Sequence, residues 1–427
     1  MSAHMRYLAL LAVFVLIVVP NCSSEKSDSA TRVRIVFKHG KISGDPEEFR
    51  LLLRHFERRN PGIAVRDETL PASTDEQHQF YVTNLEGGRA DFDVFSMDVI
   101  WVPEFSRAGW LMDLSDMLPQ EERLDFFPGP IRAVTFDNRI YAIPWYIDAG
   151  LLFYRKDILA KYGFKPPEKW DNLVSVSRAL MSRDPGLYGF IWQGKQYEGL
   201  VCNALEFIWS NNGDIIDGDR LVINSGENIY ALRFMRDLIY RYRVSPSLVT
   251  TATEEPCRHI FGKGKAVFMR NWPYAWNLFN AEDSPVKGKV GVTVLPSFKK
   301  GRSSSTLGGW QLGIYRHTKH PGEARKLIKF LISPESQKAL SLAAGYNPVR
   351  KSLYRDRDLI TKQPFLPGLF RVFMKARPRP VTPYYMMISQ VLQPEFSAAI
   401  TGIRSPAAAL TSAQKQIGHI LEAGHER

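Results

Sequence analysis

Cysteine is scarce in this sequence of 427 residues. The three cysteines, Cys22, Cys202 and Cys257, are too few for a disulfide framework and include no CxxC pair of the kind that binds zinc. The sequence therefore excludes a disulfide scaffold and predicts no metal site. Two states stay open for Cys202 and Cys257, which form either one disulfide in an oxidising compartment or two buried free thiols.

Long apolar runs and basic blocks are also lacking. The longest apolar run, residues 7–19, is too short to cross a hydrocarbon core of ~30 Å as a helix. Lys and Arg outnumber Asp and Glu by 56 to 44, but they are thinly spread, so we expect no nucleic-acid partner. The composition, 44% hydrophobic and 23% charged, is that of a globular protein, and the length fits two or three domains.

The apolar run and its flanks are typical of an export signal. Arg6 precedes the run, which predicts a signal peptide over residues 1–21 and an exported protein, periplasmic or on the outer face of the cell membrane. Cys22 and a Ser-rich polar tether, residues 22–32, follow. This arrangement resembles a bacterial lipoprotein cleavage box, in which the cysteine is acylated, although two flanking residues differ from the usual ones. The alternative is a cysteine that only lies beyond a conventional cleavage site.

Alternating strand and helix patterns predict an α/β fold. Residues 47–60 form an amphipathic helical pattern after a strand, and residues 93–97 form the next clear strand, which ends before Asp98. This order is that of a doubly wound sheet, whose ligands lie beyond the carboxyl ends of its strands. A crossover near residues 141–150 begins a second lobe, and the chain is predicted to be helical from Pro394 onward.

Enzyme motifs are incomplete or missing. Residues 189–195 have the spacing of a phosphate-binding loop, but Gln196 stands where Ser or Thr would hold magnesium. Neither HExxH nor GxSxG occurs. Asp98 and Asp148 suit either the acid/base couple of a glycosidase or a sugar-binding site, where they accept hydroxyl hydrogens. We expect a binding protein and not an enzyme.

Two aromatic segments are candidate binding surfaces. Trp272 follows a predicted strand, and Gly308, Gly309 and Trp310 come just before or at the start of another. A flat indole covers the apolar face of a pyranose, while carboxylates and Arg bind its hydroxyl rim. Glycine lets the backbone approach a ligand closely. The alternative is that both tryptophans belong to the core.

Several sequence blocks, in this order along the chain, resemble one protein family. They are DVFSMDVIW at 93–101, PWYIDAGLLFYRKD at 144–157, WQGKQYEGLVC at 192–202, RNWPYAW at 270–276, LGGW at 307–310 and RPVTPY at 379–384. Together they resemble the extracellular solute-binding proteins of sugar ABC importers, and within that family the trehalose/maltose-binding branch. The resemblance spans nearly all of the chain after the signal.

The resemblance implies a two-lobed periplasmic-binding-protein fold of class II type, with the ligand cleft between the lobes. The N-terminal lobe would comprise residues 31–143 and 290–332, and the C-terminal lobe residues 144–289 and 333–427. The resemblance implies a monomer that closes over a disaccharide of the trehalose or maltose type, needs no cofactor and docks on a two-subunit membrane permease. The alternatives are a receptor for another oligosaccharide, such as sucrose or a maltodextrin, and a secreted glycoside hydrolase.

The resemblance implies nine ligand-binding positions in this chain, of which seven match the family and two, Asp45 and His78, differ from it. The nine are Asp45, His78, Asp98, Tyr146, Asp148, Trp272, Gly309, Trp310 and Arg379. Asp45 and His78 replace the Glu and Arg of close relatives, which leaves the exact sugar open. His78 has the alternative of a surface histidine without a role.

The other polar positions have structural alternatives as well. Asp45 and Asp98 are suited to cap the helices that follow them. Asp148 would then hold the crossover by hydrogen bonds, and Tyr146 by packing. Arg379, which lies between two prolines, would belong to a solvated basic patch.

Overall fold

The computed structural model describes residues 32–42, 46–88, 90–218 and 220–425. The predicted signal peptide, Cys22 and Asp45 lie outside these ranges, so cleavage, acylation and the binding role of Asp45 stay predictions. Within the described ranges, no helix has the length and apolar character that spanning a bilayer requires.

The described strands form two main sheets and two separate two-stranded ones. In chain order they are β1 (Val33–His39), β2 (Ile63–Thr69), β3 (Val94–Asp98), β4 (Thr135–Phe136), β5 (Arg139–Ile140), β6 (Ile143–Ala149), β7 (Leu151–Arg155), β8 (Tyr188–Ile191), β9 (Ile216–Asp217), β10 (Arg220–Leu221), β11 (Ala266–Asn271), β12 (Val290–Thr293), β13 (Leu307–Ile314) and β14 (Asn347–Pro348). Every residue of β3 and β11 is buried, as expected of central strands that helices cover on both faces.

Helices surround both sheets. In chain order they are α1 (Pro46–Arg59), α2 (Thr74–Glu86), α3 (Val102–Arg107), α4 (Gln120–Arg123), α5 (Pro128–Val134), α6 (Lys156–Lys161), α7 (Trp170–Met181), α8 (Glu198–Ser210), α9 (Gly226–Tyr240), α10 (Glu254–Gly262), α11 (Ala275–Phe279), α12 (Pro321–Leu331), α13 (Pro334–Ala344), α14 (Arg357–Lys362), α15 (Leu366–Lys375), α16 (Tyr385–Thr401) and α17 (Pro406–His425). Short 3₁₀ turns lie at Ser115–Met117, Ser247–Thr251 and Lys351–Arg355.

The amphipathic pattern of α1 explains its position. Phe49, Leu53 and Phe56 recur at helical spacing, and all three are buried. The helix therefore covers one face of the sheet with its apolar side, and its acidic first turn and basic last turn both complement the helix dipole.

The larger sheet has six strands in the order β14, β6, β13, β3, β1 and β2. β1 is parallel to β2 and β3, whereas β13 is antiparallel to both β3 and β6. The smaller sheet has the order β12, β7, β11 and β8. Because the strands of each sheet come from separate parts of the chain, the polypeptide must cross between the sheets repeatedly.

Three crossings connect the sheets. The first lies at Gly150, between Ala149 of β6 and the start of β7. The second precedes Leu307 of β13, and the third follows α15. Leu307 N donates to Arg377 O over 2.8 Å, and Arg377 N donates to Ser305 O over 2.9 Å. The second and third crossings therefore run side by side.

Sheet membership and helix packing define two lobes. Helix α15 packs on α5 and β6, whereas α16 packs on α8 and α9. Among the described residues, we call those within 32–149 and 307–376 the first lobe, and those within 150–306 and 377–425 the second lobe.

These lobes differ from the predicted ranges at three places. β6 pairs with β13 and stays in the first lobe, β12 pairs with β7 in the second lobe, and β14 pairs with β6 in the first lobe. Each pairing joins strands that are distant in sequence, which local patterns do not reveal. The helical C-terminal region also begins earlier than predicted, because Pro394 lies inside α16, which starts at Tyr385.

Candidate functional site

One row of residues lies at the strand ends of the larger sheet, next to the crossings between the lobes. Trp310 of β13 stands opposite Asp98 of β3 on one side and Tyr146 of β6 on the other. Asp148 stands opposite Gly308, two residues further along both strands. Since alternate residues of a strand point to the same face, these side chains share one face of the sheet.

Trp272 of the second lobe meets this row. It directly follows β11, and a Cβ built on Gly308 would lie 3.0 Å from Trp272 Cζ3 and 3.4 Å from the Cβ of Asp148. A side chain at position 308 would crowd the indole, so the glycine favours this close approach to the first lobe. The Trp272 and Trp310 segments, predicted as candidate binding surfaces, are thus neighbours across the two lobes.

Gly309 has a conformation that other residues rarely adopt. Its φ is 113°, and a Cβ there would overlap the carbonyl oxygen of Tyr146 and lie 2.9 Å from Ile147 Cα. This glycine lets β13 approach β6 closely at the start of the row, next to a bulge between Trp310 and Gln311.

The two indoles differ from their polar neighbours in exposure. Asp98 and Tyr146 are each 8% exposed and Arg379 is 3% exposed. Trp272 and Trp310 are only half-buried, although Trp101 and Trp310 pack edge to face with ring centroids 5.7 Å apart. Large apolar rings that keep exposed area between buried charged groups are typical of a ligand cleft.

Arg379 joins carboxylates of both lobes. Its Nη2 donates to Asp98 Oδ1 over 2.9 Å, and its Nη1 donates to Glu198 Oε1 over 2.8 Å. Glu198 also accepts hydrogen bonds from the hydroxyls of Tyr385 and Ser389. The guanidinium is therefore buried between two carboxylates and does not belong to a solvated basic patch.

Asp98 serves the turn after β3 as well. Its Oδ1 accepts the backbone N–H of Ile100 over 3.2 Å, whereas α3 begins only at Val102 and has no side-chain cap. Asp98 therefore does not cap a helix. It accepts a hydrogen bond within the turn and still accepts the hydrogen bond from Arg379.

Burial raises the pKa of Asp148 to about 7. Asn347 Nδ2 lies 3.5 Å from Asp148 Oδ1, which is a long contact, and the Asp98 carboxylate further favours the neutral form. Near neutral pH the carboxyl group populates both protonation states. It can therefore donate a hydrogen bond as well as accept one.

Tyr146 is held by a second tyrosine. Its ring stacks on Tyr346 with centroids 4.1 Å apart and planes 3° from parallel. One face of Tyr146 is covered in this way, which agrees with the packing role considered for it, and the remaining edge lies in the row with Trp310 and Asp98.

His78 lies one layer behind the row. Its Nε2 is 2.8 Å from Glu104 Oε2, and its ring contacts Phe105 and Trp101. His78 is 9% exposed, so it is not a surface histidine. Trp101, which His78 contacts, packs in turn against Trp310.

Four charged residues beneath the row were not predicted as site residues, although two of them lie in sequence blocks that carry the family resemblance. Glu254 accepts the Trp272 Nε1–H over 3.3 Å, and Arg270 forms a buried ion pair with Glu206. The fourth is Glu198. A signal existed for Glu198 and Glu206, because both are acids on α8, a helix that is otherwise largely apolar and has every residue buried.

The remaining chemistry of the described residues is limited. No group of three or more His, Cys, Asp or Glu residues within them is placed to hold a metal ion. Cys202 and Cys257 are buried free thiols, and burial raises the pKa of both. Of the two states left open for them, the structure shows the free one.

Comparison with known proteins agrees with this geometry. The family model of the bacterial extracellular solute-binding proteins matches residues 42–338. A probable ABC transporter-binding protein of Deinococcus radiodurans is 35% identical over 376 residues, which cover 86% of this chain and 89% of the relative. The chain belongs to the bacterial extracellular solute-binding proteins. The predicted family is confirmed.

Solved structures of solute-binding proteins share the fold. Maltose-bound MalE3 of T. maritima is 43% identical with a TM-score of 0.87, and the match covers 91% of this chain and 100% of that one. A solute-binding protein of Thermotoga lettingae TMO bound with α-D-tagatose is 26% identical with a TM-score of 0.81, at 91% and 100% coverage. The predicted two-lobed α/β fold is therefore confirmed.

Proposed function

We propose that this solute-binding protein captures a disaccharide of the maltose or trehalose type and delivers it to the membrane permease of an ABC importer. The observation that carries this proposal is that the half-buried Trp272 of the second lobe lies against Gly308 of the first lobe, two residues before the half-buried Trp310. Two flat apolar rings contributed by opposite lobes suit a ligand with apolar sugar faces on both sides.

Carboxyl and guanidinium groups at the site suit the hydroxyl rim of such a ligand. Asp98, Asp148 and Arg379 lie beside the indoles, and each forms hydrogen bonds of the kind that sugar hydroxyls accept or donate. We assign these three residues, with Tyr146 and Gly309, to ligand binding. Asp45 and His78 stay candidates for contacts at one end of the cleft, as the family resemblance implies, and His78 would act there through the layer behind the row.

Lobe closure is the proposed mechanism of capture. A sugar that contacts Trp310 and Asp98 on one lobe and Trp272 on the other binds the closed form more tightly than the open form. It shifts the equilibrium toward closure by that difference in affinity and by no more. No cofactor takes part.

The choice of a disaccharide draws on the relatives. The 43% identical neighbour has maltose bound, which supports a ligand of two glucose units. The 26% identical neighbour has α-D-tagatose bound, so the test includes a single hexose.

Calorimetric titration tests the ligand. Purified protein is titrated with maltose, trehalose, sucrose, maltotriose and D-tagatose, and we expect the tightest binding with maltose or trehalose. Tighter binding of sucrose or maltotriose would favour the alternative oligosaccharide receptor. Absence of heat with all five sugars would contradict the proposal. Chromatography of the sugar after long incubation tests the hydrolase alternative, and we expect the disaccharide to stay intact.

The same proposal places the protein at the membrane surface. Acylation of Cys22 would anchor an exported monomer near its permease. Mass spectrometry of the N-terminal peptide tests this point separately, since an unmodified N-terminus that lacks Cys22 would contradict the anchor and leave the sugar-binding proposal unaffected.

A further inference from the structure

A buried ion pair lies directly beneath the proposed binding indole of the second lobe. Arg270 of β11 donates from Nε to Glu206 Oε2 over 2.8 Å and from Nη2 to Glu206 Oε1 over 2.6 Å. The two side chains are 1% and 2% exposed. Removing two charges from water costs free energy that their attraction often does not recover, so such a pair is weak evidence of a stabilising role alone.

One side of the ion pair packs against the Trp272 ring. The guanidinium carbon of Arg270 lies 4.0 Å from the centroid of the Trp272 ring, in the geometry of a cation–π contact. On the first lobe, Gly308 approaches the same indole. The orientation of this proposed sugar-binding ring therefore depends on where the guanidinium is held, as well as on Glu254, which accepts the indole N–H.

The other side of the ion pair contacts the crossings between the lobes, which together we call the hinge. Glu206 Oε1 accepts the backbone N–H of Thr306 over 3.2 Å, at the second crossing. A Cβ on Gly150, at the first crossing, would overlap Glu206 Oε1 and lie 2.6 Å from Arg270 Nη2. The ion pair thus packs against two of the three crossings, and the third crossing is hydrogen-bonded to the second.

We propose that Arg270, held by Glu206, is a positioning residue that links the plane of Trp272 to the angle between the lobes. Moving the indole requires the guanidinium to move, and the guanidinium cannot move without disturbing the backbone at Gly150 and Thr306. A ligand that fixes the orientation of the Trp272 ring then also fixes the angle between the lobes. In its sugar-dependent part this inference rests on the proposed function.

Coupling of this kind is a free-energy difference that variants can measure. Arg270→Lys keeps the charge but loses the two-point contact with Glu206 and the flat guanidinium face. Gly150→Ala disturbs the pair from the hinge side and leaves every proposed ligand-binding residue unchanged. Gly213→Ala is the matched control, because its Cβ would overlap a buried polar atom, Asn228 Oδ1, elsewhere in the second lobe.

The experiment has a sugar-free arm and a sugar arm. Small-angle X-ray scattering without ligand measures the radius of gyration, and calorimetry measures the dissociation constants for maltose and trehalose. Both are performed at a temperature where circular dichroism shows each variant folded. We expect Arg270→Lys and Gly150→Ala to enlarge the radius of gyration and to weaken sugar binding about tenfold or more, and Gly213→Ala to change neither.

Each outcome decides the proposal. If Arg270→Lys and Gly150→Ala lower the melting temperature but match the control in radius and affinity, the pair is only structural and the inference is wrong. If the unchanged protein binds neither sugar, the proposed function loses its support, and the radius of gyration alone decides the inference. If Arg270→Lys does not fold, the Gly150→Ala variant decides it by the same two measurements.

Discussion

Asp148 has a carboxyl group whose protonation depends on its surroundings. Burial raises its pKa to about 7 in the folded protein, against an ordinary value of 3.8. Between these two values the folded state holds a proton that the unfolded state has released. The group therefore lowers the free energy of unfolding progressively as pH rises from about 4 to about 7, after which its effect is constant.

Asp148→Asn removes this pH dependence. We expect the variant to be more stable than the unchanged protein at pH about 8, by about 1 to 3 kcal/mol, because a neutral amide avoids burying a charge. The difference should shrink toward pH about 4, where the folded carboxyl is protonated and the unfolded one is protonated in large part. Urea unfolding at the two pH values measures it. An equal difference at both values would show that the carboxyl group is not desolvated.

Trp310, near the start of β13, has a half-buried ring that suits either a ligand-binding role or a core role. Its substitution separates these two roles. We expect Trp310→Ala to weaken sugar binding about 100-fold or more while lowering the melting temperature by only a few degrees, because part of the ring is open to solvent or ligand while the rest packs against the core. Trp145→Ala is the comparison, since Trp145 is 1% exposed and its loss should cost about 3 to 5 kcal/mol. Unfolding of both variants alike would make Trp310 a core residue.

At the scale of elements, α8 combines an apolar sequence with two acids that its neighbours satisfy. Glu198 in its first turn contacts Arg379 of the third crossing and the hydroxyls of Tyr385 and Ser389 on α16. Burial raises the pKa of Glu198 despite the neighbouring guanidinium. The helix thereby connects the third crossing to the helices of the second lobe.

Glu198→Ala tests this connection. Loss of one partner leaves the guanidinium of Arg379 buried with Asp98 alone, and leaves two hydroxyls without their acceptor, so we expect a loss of about 3 to 5 kcal/mol in the free energy of unfolding. Glu227→Ala on the exposed first turn of α9 is the control and should change stability by about 0.5 kcal/mol or less. Urea unfolding at neutral pH compares the two, and equal effects would contradict the role given to Glu198.

At the scale of the whole molecule, the site exists only where the two lobes meet. Trp310 and Asp98 belong to the first lobe, Trp272 to the second, and Arg379 contacts carboxylates of both. A ligand between them stabilises the folded, closed protein because it does not bind the unfolded chain in this way.

Sugar binding should therefore raise the melting temperature. At a free maltose or trehalose concentration about 100 times the dissociation constant, we expect a gain of about 2.7 kcal/mol, seen as an upward shift in a thermal scan. At the same concentration the Trp310→Ala variant, whose binding is weakened about 100-fold, should gain only about 0.4 kcal/mol and shift correspondingly little. An equal shift in that variant would mean that the sugar binds outside the proposed cleft.

The sequence alone determined the local elements and the family. The spacing of Phe49, Leu53 and Phe56 predicted α1, and the strand ending at Asp98 was placed within one residue. The shared blocks identified the solute-binding family and named Trp272 and Trp310 as candidates, because residue type and order along the chain carry that information directly.

The tertiary structure decided the features that depend on distant pairing. Sheet membership of β6, β12 and β14, the partners of Arg379, and the ion pair between Arg270 and Glu206 all join residues far apart in sequence. Helical and strand periodicity reports only which side of an element is apolar. Which charges meet at the hinge, and how far burial shifts a carboxyl pKa, follow from packing in three dimensions.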